Sequence, residues 1–435
     1  MEERLNMTLG FYLPTFFKMQ VNTDESFSDL KKLDDIPLAI YFHEYIHYLQ
    51  DISTVFGLMN ACAVVDYMKF SNNYAHKLDS NDFEVPVPII DKDEFNIGFN
   101  RKLKTIYLGD SKNIAFNAGD QNPILKIYLE EIDVQNYSNT IQNIKQVYFE
   151  TSYGKYCFGA TCIMESMAYI GENALFPNLI PSPDLPYKSA EYVASHLYPA
   201  FSINKFNTFA LCDISLFVFH PSKYFYDTLI EMKRQSWLPA NPKDVYDFCL
   251  KNTEIEYENS HNLNSLFEQT NHKAKKQLSD YFTADIFRDS KEWIEIILNS
   301  AKEMRNKNIY FILDIVSEGK LNSEIFLSVF RTLGSPLVTN NLDEASFYIS
   351  ENANHLENIR IDLFWALSQV HRIFIGQQRD CKLKLFCRES CHNDKIPDIT
   401  DNRCSDAPWE RATDSELCAF AQIWKMWGLQ HKKPK

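Results

Sequence analysis

A mainly helical α+β fold follows from three features of the sequence. Apolar positions recur at helical spacing through most of the stretch from Ser189 to about Leu333, and again over Asn354–Phe374. Residues 79–150 change character: segments that alternate or run apolar are separated by Asn, Asp and Gly, which predicts a small antiparallel sheet with long loops. Near the N-terminus the run Ile36–Leu58 (IPLAIYFHEYIHYLQDISTVFGL) is apolar on almost every face, as expected of a helix buried all round. Hydrophobic residues make up 45% of the 435 and aromatics 14%, so the chain can build a packed core. Its length allows one large domain or two to three smaller ones.

Taken in order, Leu9–Met19 (LGFYLPTFFKM) predicts a short edge strand, because Pro14 removes a ladder donor. The helix from Ile36 starts where it should: Pro37 fits a first turn, and Asp34-Asp35 favour the positive end of the dipole. Met59–Leu78 continues as helix after a break near Gly57. Strands are expected at Phe83–Ile90, Lys104–Leu108, Ile124–Ile132 and Ile144–Thr151. Tyr156–Asn173 (YCFGATCIMESMAYIGEN) returns to helix, its small residues allowing close approach to a neighbour. Pro177–Pro186 holds too many prolines to be helical. Helices are predicted at Tyr192–Tyr198, Ile203–Phe219, Tyr224–Trp237, Pro242–Leu250, Leu263–Phe287, Lys291–Arg305 and Asn308–Val316. A strand pair is expected in Val338–Ile349, and an aromatic helix at Phe420–Leu429 packs back on the body.

The chemistry concentrates in His43-Glu44-Tyr45-Ile46-His47, which reads HExxH. Residues four apart on a helix lie one above the other, so both imidazoles reach one metal ion. Two such nitrogens suit Zn²⁺, and Glu44 projects beside the ion, where a carboxylate can take a proton from water. Glu165 stands among Ile163, Met164, Met167 and Ala168. A carboxylate in that company needs a partner, which makes it the candidate third ligand. Asp66, 19 residues after His47, is the competing candidate.

At these residues the chain resembles the zincin metallopeptidases. Gln50 and Ser53 stand where the longer metzincin motif has Gly and His, so the resemblance is to the gluzincin group, in which a glutamate on a later helix completes the site. It implies a zinc-dependent peptidase with His43, His47 and Glu165 as ligands and Glu44 as general base and then proton donor. The zincin-like core would span 1–176 with an inserted β-rich region (79–150), followed by a helical region 177–349 and a Cys-rich segment 350–435. Tyr169 stands where the family often carries an aspartate four residues after the ligand Glu. Glu172, on the same helix face, can replace it in orienting a histidine. The family's oxyanion-stabilising Tyr or His has four candidates, Tyr153, Tyr169, His196 and His220, and Asp213 is a candidate to bond a ligand histidine. A sheet is expected to flank the cleft and to pair with an extended substrate.

Five of the ten cysteines follow residue 380. Cys381, Cys387, Cys391 and Cys404, at spacings of six, four and thirteen, are candidates for a structural zinc site. Without a secretory leader at Met1-Glu2-Glu3-Arg4, ten cysteines read as reduced thiols or metal ligands, and a cytoplasmic location is expected. No run is long enough for a membrane span. A net charge of −14 argues against a nucleic-acid binder, whose affinity would come largely from Lys and Arg on phosphates. The partners expected are a protein or peptide substrate and an activating or inhibiting protein, because an intracellular protease must be held in check. The same need for restraint suggests a regulated enzyme such as a bacterial toxin-like or defence effector, and low Gly with high Asn, Lys, Ile and Phe fits an AT-rich microbial genome. A zinc hydrolase of a non-peptide substrate and a non-catalytic interaction protein with a structural metal site are the alternatives.

Overall fold

The chain opens with a hairpin, β1 (Gly10–Leu13) and β2 (Lys18–Val21), paired antiparallel from Gly10↔Val21 to Leu13↔Lys18. Pro14 lies in the turn between them, where its missing N–H costs no ladder bond. This computed structural model describes residues 9–89, 95–117, 123–135, 141–257, 259–280, 284–393, 395 and 397–435. Helix α1 (Asp35–Ser53) follows, with Ala39, Tyr41, Tyr45, Ile46, Tyr48 and Leu49 all fully buried. Burying phenols would be costly if their hydroxyls stood alone. Tyr45 and Tyr48 donate to the carbonyls of Gly334 (3.0 Å) and Leu333 (2.9 Å).

Thr54 ends α1 in an extended conformation, and its hydroxyl accepts from the Gly57 N–H at 3.1 Å. That cap starts α2 (Val55–Lys77), bent by 77° from α1. Helix α3 (Phe95–Leu108) takes in Lys104–Leu108, which the alternating pattern assigned to a strand. The residues serve a helix because Leu103 and Tyr107 fall four apart and Gly109, at φ 70°, terminates it. Among the described residues of Phe83–Ile90 only Phe83 is in a strand, Asp82–Phe83, which pairs parallel with Lys433–Pro434. The basic C-terminal residues are therefore tied down. Ile90 itself lies outside the described residues.

The antiparallel sheet is present as β3 (Ile124–Gln135), β4 (Ile141–Thr151) and β5 (Gly154–Phe158). Tyr156-Cys157-Phe158, expected to be helical, instead pair with Phe149, Tyr148 and Val147. Helix α4 (Ala160–Leu175) begins only after Gly159. A Cβ on Gly159 would stand 2.1 Å from the Leu108 carbonyl oxygen, so glycine is what lets α3 end against the start of α4. Helices α5 (Ser189–Leu197), α6 (Lys205–Ser215), α7 (Pro221–Arg234), α8 (Lys243–Asn252), α9 (Leu263–Ser279), α10 (Arg288–Lys307), α11 (Phe311–Ser317) and α12 (Glu324–Leu333) build the helical body.

Strands β6 (Leu337–Thr339) and β7 (Ala345–Ser346) form the expected antiparallel pair. Strand β6 also pairs parallel with β2, giving a sheet of order β1-β2-β6-β7 with β1 at one margin. Helices α13 (Ile361–Phe374), α14 (Lys384–Asn393) and α15 (Ala419–Met426) complete the chain. One hydrophobic core runs from Tyr12 to Leu429. Among the described residues no single helix is long and apolar enough to cross a membrane.

Candidate metal centre

Helix α1 carries His43 and His47 on one face, their ring centroids 5.0 Å apart. Helix α4 packs against that face and brings Glu165 to both. Glu165 Oε2 lies 3.2 Å from His43 Nε2 and 3.5 Å from His47 Nε2. Among the described residues this is the one group of three His, Cys, Asp or Glu side chains whose ligand atoms all lie within 4.8 Å. Asp66 is not part of the group; it accepts from Gln277 Nε2 at 2.8 Å.

The far nitrogens of both rings are held. His43 Nδ1 is 2.9 Å from Glu172 Oε2. An ionised carboxylate only accepts, so Nδ1 carries the hydrogen and Nε2 is left with its lone pair. His47 Nδ1 is 2.8 Å from Gln50 Oε1, while the Gln50 amide nitrogen donates to the Met164 carbonyl (3.2 Å). That amide orientation makes His47 Nδ1 a donor as well. Glu172 thus has the orienting position expected of it, and Gln50 has the same role for the second ring.

The consequence is electrostatic. Two imidazole lone pairs and a carboxylate oxygen point at one another, and three acceptors at that range repel unless a cation lies between them. In the protein alone that cation is a proton. Burial opposes charge on His43, but the hydrogen bonds that it donates to Glu165 and Glu172 outweigh it and hold the imidazole pKa well above its usual value. His47 is likewise raised: burial is overcome by the charge and hydrogen bond of Glu165. Burial alone would raise Glu165, yet His47 and His43 pull it below the usual carboxylate range. Glu44 is raised, chiefly by burial.

The centre opens into a cleft of about 480 Å³. Strand β1 runs along one wall, close enough that a Cβ on Gly10 would stand 3.2 Å from Glu44 Oε1 and 2.7 Å from Ile40 Cγ2. The sheet beside the cleft is thus the N-terminal one; none of the described residues of β3, β4 or β5 lines it. Tyr187 forms the opposite wall, its ring centroid 5.8 Å from that of His43. Burial, together with Glu165, Glu44 and Glu172, pushes its phenol pKa well up. Lys104 and Asp51 face the same space. Burial brings the Lys104 amine down to about 8, and it raises Asp51 to about 6 although Tyr12 and the Thr15 N–H both donate to that carboxylate at 2.9 Å.

Several expectations fail here. Tyr153, Tyr169, His196 and His220 do not line the cleft. His220 stacks on Tyr107 and meets Gln146 Oε1 at 2.6 Å, while Tyr169 stands behind Tyr187. Asp213 pairs with Arg305 and never reaches a ligand histidine. Tyr187 and Lys104 carried no motif, and only the fold brings them in. Neither any known family model nor any curated protein or solved structure matches this chain.

Proposed function

We propose that the chain is a zinc-dependent metallopeptidase acting on an intracellular protein substrate. The observation that carries this reading is the convergence of the His43 and His47 lone pairs on the Glu165 carboxylate, with both rings fixed from behind. Two imidazoles and a carboxylate are a donor set used by catalytic zinc. Zinc held there supplies a Lewis acid that polarises a carbonyl and lowers the pKa of water towards about 7.

The residues of the chain do the rest. Glu44, buried beside the histidines and raised in proton affinity, takes a proton from water and returns it to the departing amine nitrogen. Glu172 and Gln50 hold the two rings, so His43 and His47 lose no entropy on turning towards the ion. Strand β1 is a sheet margin that lines the cleft, where an extended polypeptide can add as a further strand. Tyr187 is the phenol beside His43 that can donate to a developing oxyanion.

The test is Glu44→Gln beside a His43→Ala/His47→Ala double variant, read by elemental analysis and by cleavage of an unfolded protein and of a peptide library. We expect the double variant to lose about one equivalent of metal. Glu44→Gln should keep that metal and lose about 10²–10⁴-fold in cleavage rate, the usual share of a general acid–base. Unchanged metal content in the double variant would overturn the reading. Metal at this site with no proteolysis but with ester or amide hydrolysis sensitive to Glu44 would move the substrate to a non-peptide class.

A further inference from the structure

The second cluster of soft ligands lies at the other end of the chain, and it is assembled differently from the set the spacing suggested. Cys381 precedes α14, Cys387 lies within it, Cys404 is on the short turn Arg403–Asp406, and Cys418 is the residue before α15. All four line one small void of about 10 Å³, roughly the room of a single water. Cys391, though buried on α14, does not line it. None of the ten cysteines is in a disulfide.

Four thiols from separate segments would be unremarkable as small apolar fillers, so the surroundings of the sulfurs decide the matter. Arg411, only 4% exposed, directs Nη1 at Cys404 Sγ across 3.3 Å. A guanidinium facing a neutral thiol is poorly compensated, and Asp414, at 3.4 Å from Nε, answers only its other side. A buried cation facing sulfur is suited to a thiolate that shares its charge with a metal. The main chain already joins two of the ligand segments, since the Cys381 N–H donates to the Cys404 carbonyl at 2.7 Å.

We propose that Cys381, Cys387, Cys404 and Cys418 form a second metal centre, a four-thiolate site for a thiophilic metal that ties α14 and the loop after it to the start of α15. Zinc and iron–sulfur clusters share this ligand chemistry. No three of the four sulfurs lie mutually within 4.8 Å. A single zinc ion, with Zn–S near ~2.3 Å, would draw them inward, and a cluster would have to widen a void that has room for about one water. The site is independent of the HExxH centre and stands or falls without it.

The experiment uses the full chain, purified without oxygen, with zinc, iron and acid-labile sulfide measured per chain. Cys418→Ser and Cys391→Ser are compared with wild type and with His43→Ala/His47→Ala. We expect metal that survives the His double variant, falls by about one equivalent of zinc, or by the whole iron and sulfide content, in Cys418→Ser, and is unchanged in Cys391→Ser. Iron with sulfide identifies a cluster, and zinc alone identifies a single ion. In case Cys418→Ser fails to fold, the wild-type protein is titrated with an organomercurial, which should release this metal as about four thiols react. No metal beyond that lost with the histidines, or thiols that react without releasing any, would overturn the proposal. Loss in Cys391→Ser with none in Cys418→Ser would do so too.

Discussion

Two clusters of charged side chains lie inside the helical body, and they differ in how their charges are answered. Asp213 and Arg305 are almost fully buried, and every polar group they carry is matched. Arg305 meets Asp213 through two bonds of 2.8 Å, and the Tyr246 hydroxyl donates to the same carboxylate at 2.8 Å. The remaining guanidinium hydrogens reach the Ser53 carbonyl and hydroxyl and the Ile309 carbonyl. Because Ser53 ends α1, this cation also caps the negative end of the helix that carries His43 and His47. The second cluster, a few turns back along the same helix, is unbalanced: His43, His47 and Glu165 present acceptors to one another unless a proton or another cation lies between them. Burial of charge is common to both. Only in the second is the balancing cation an exchangeable one, and that asymmetry separates a structural ion pair from a candidate centre.

The comparison breaks if removing a partner from either cluster gives the effect expected of the other. Asp213→Ala leaves Arg305 buried and uncompensated, so unfolding free energy in urea should fall by about 3–5 kcal/mol, with metal content of the folded fraction unchanged. Glu172→Gln works in the opposite sense. It keeps an acceptor for His43 Nδ1 but removes the charge, so stability should change little while metal affinity, read by competition with a chelating dye, falls about 10–100-fold. Metal loss in the first variant, or collapse of stability in the second, would erase the distinction.

How far the sequence shows these two clusters depends on sequence distance. Both histidines and Glu44 share one helical turn, so spacing alone places them. Glu165 is legible because a lone carboxylate among Ile163, Met164 and Ala168 demands a partner, and Glu172 because it lies seven residues on along the same face. Gln50 does its work three residues from His47, yet a glutamine advertises nothing. Tyr187, Lys104 and Cys418 are brought in by tertiary packing alone, as is the parallel pairing of β2 with β6. Asp213 shows the opposite failure: its oddity in an apolar run was visible, but Arg305, its answer, is 92 residues away. The Lys104–Leu108 error has a local cause. Five residues fit two periods, and the helix that they end begins well before them, at Phe95.

A third mode of burial sharpens the contrast, because it uses neither a counter-ion nor an unfilled site. Lys18 is 1% exposed, over the Trp365 ring at 4.4 Å, with Nζ donating to Thr339 Oγ1 at 2.9 Å. Burial lowers its amine from 10.5 to about 7, outweighing the pull of Asp343. The folded chain has therefore shed this proton by mild alkali, whereas the unfolded chain keeps it up to 10.5. Between those limits the unfolded state binds the extra proton, so this group's penalty shrinks as pH rises, by at most about 1.4 kcal/mol per pH unit. Lys18→Met should fill the same volume with no charge to shed. Its stability relative to wild type should be greatest near pH 7 and below, where the lysine must be carried protonated or give its proton up, and should decline towards pH 10. Urea unfolding of the pair across that range checks the sign. A difference that stays flat with pH would mean that Lys18 keeps its charge in the fold, answered by Asp343, and would place it with Arg305 among the paired cations.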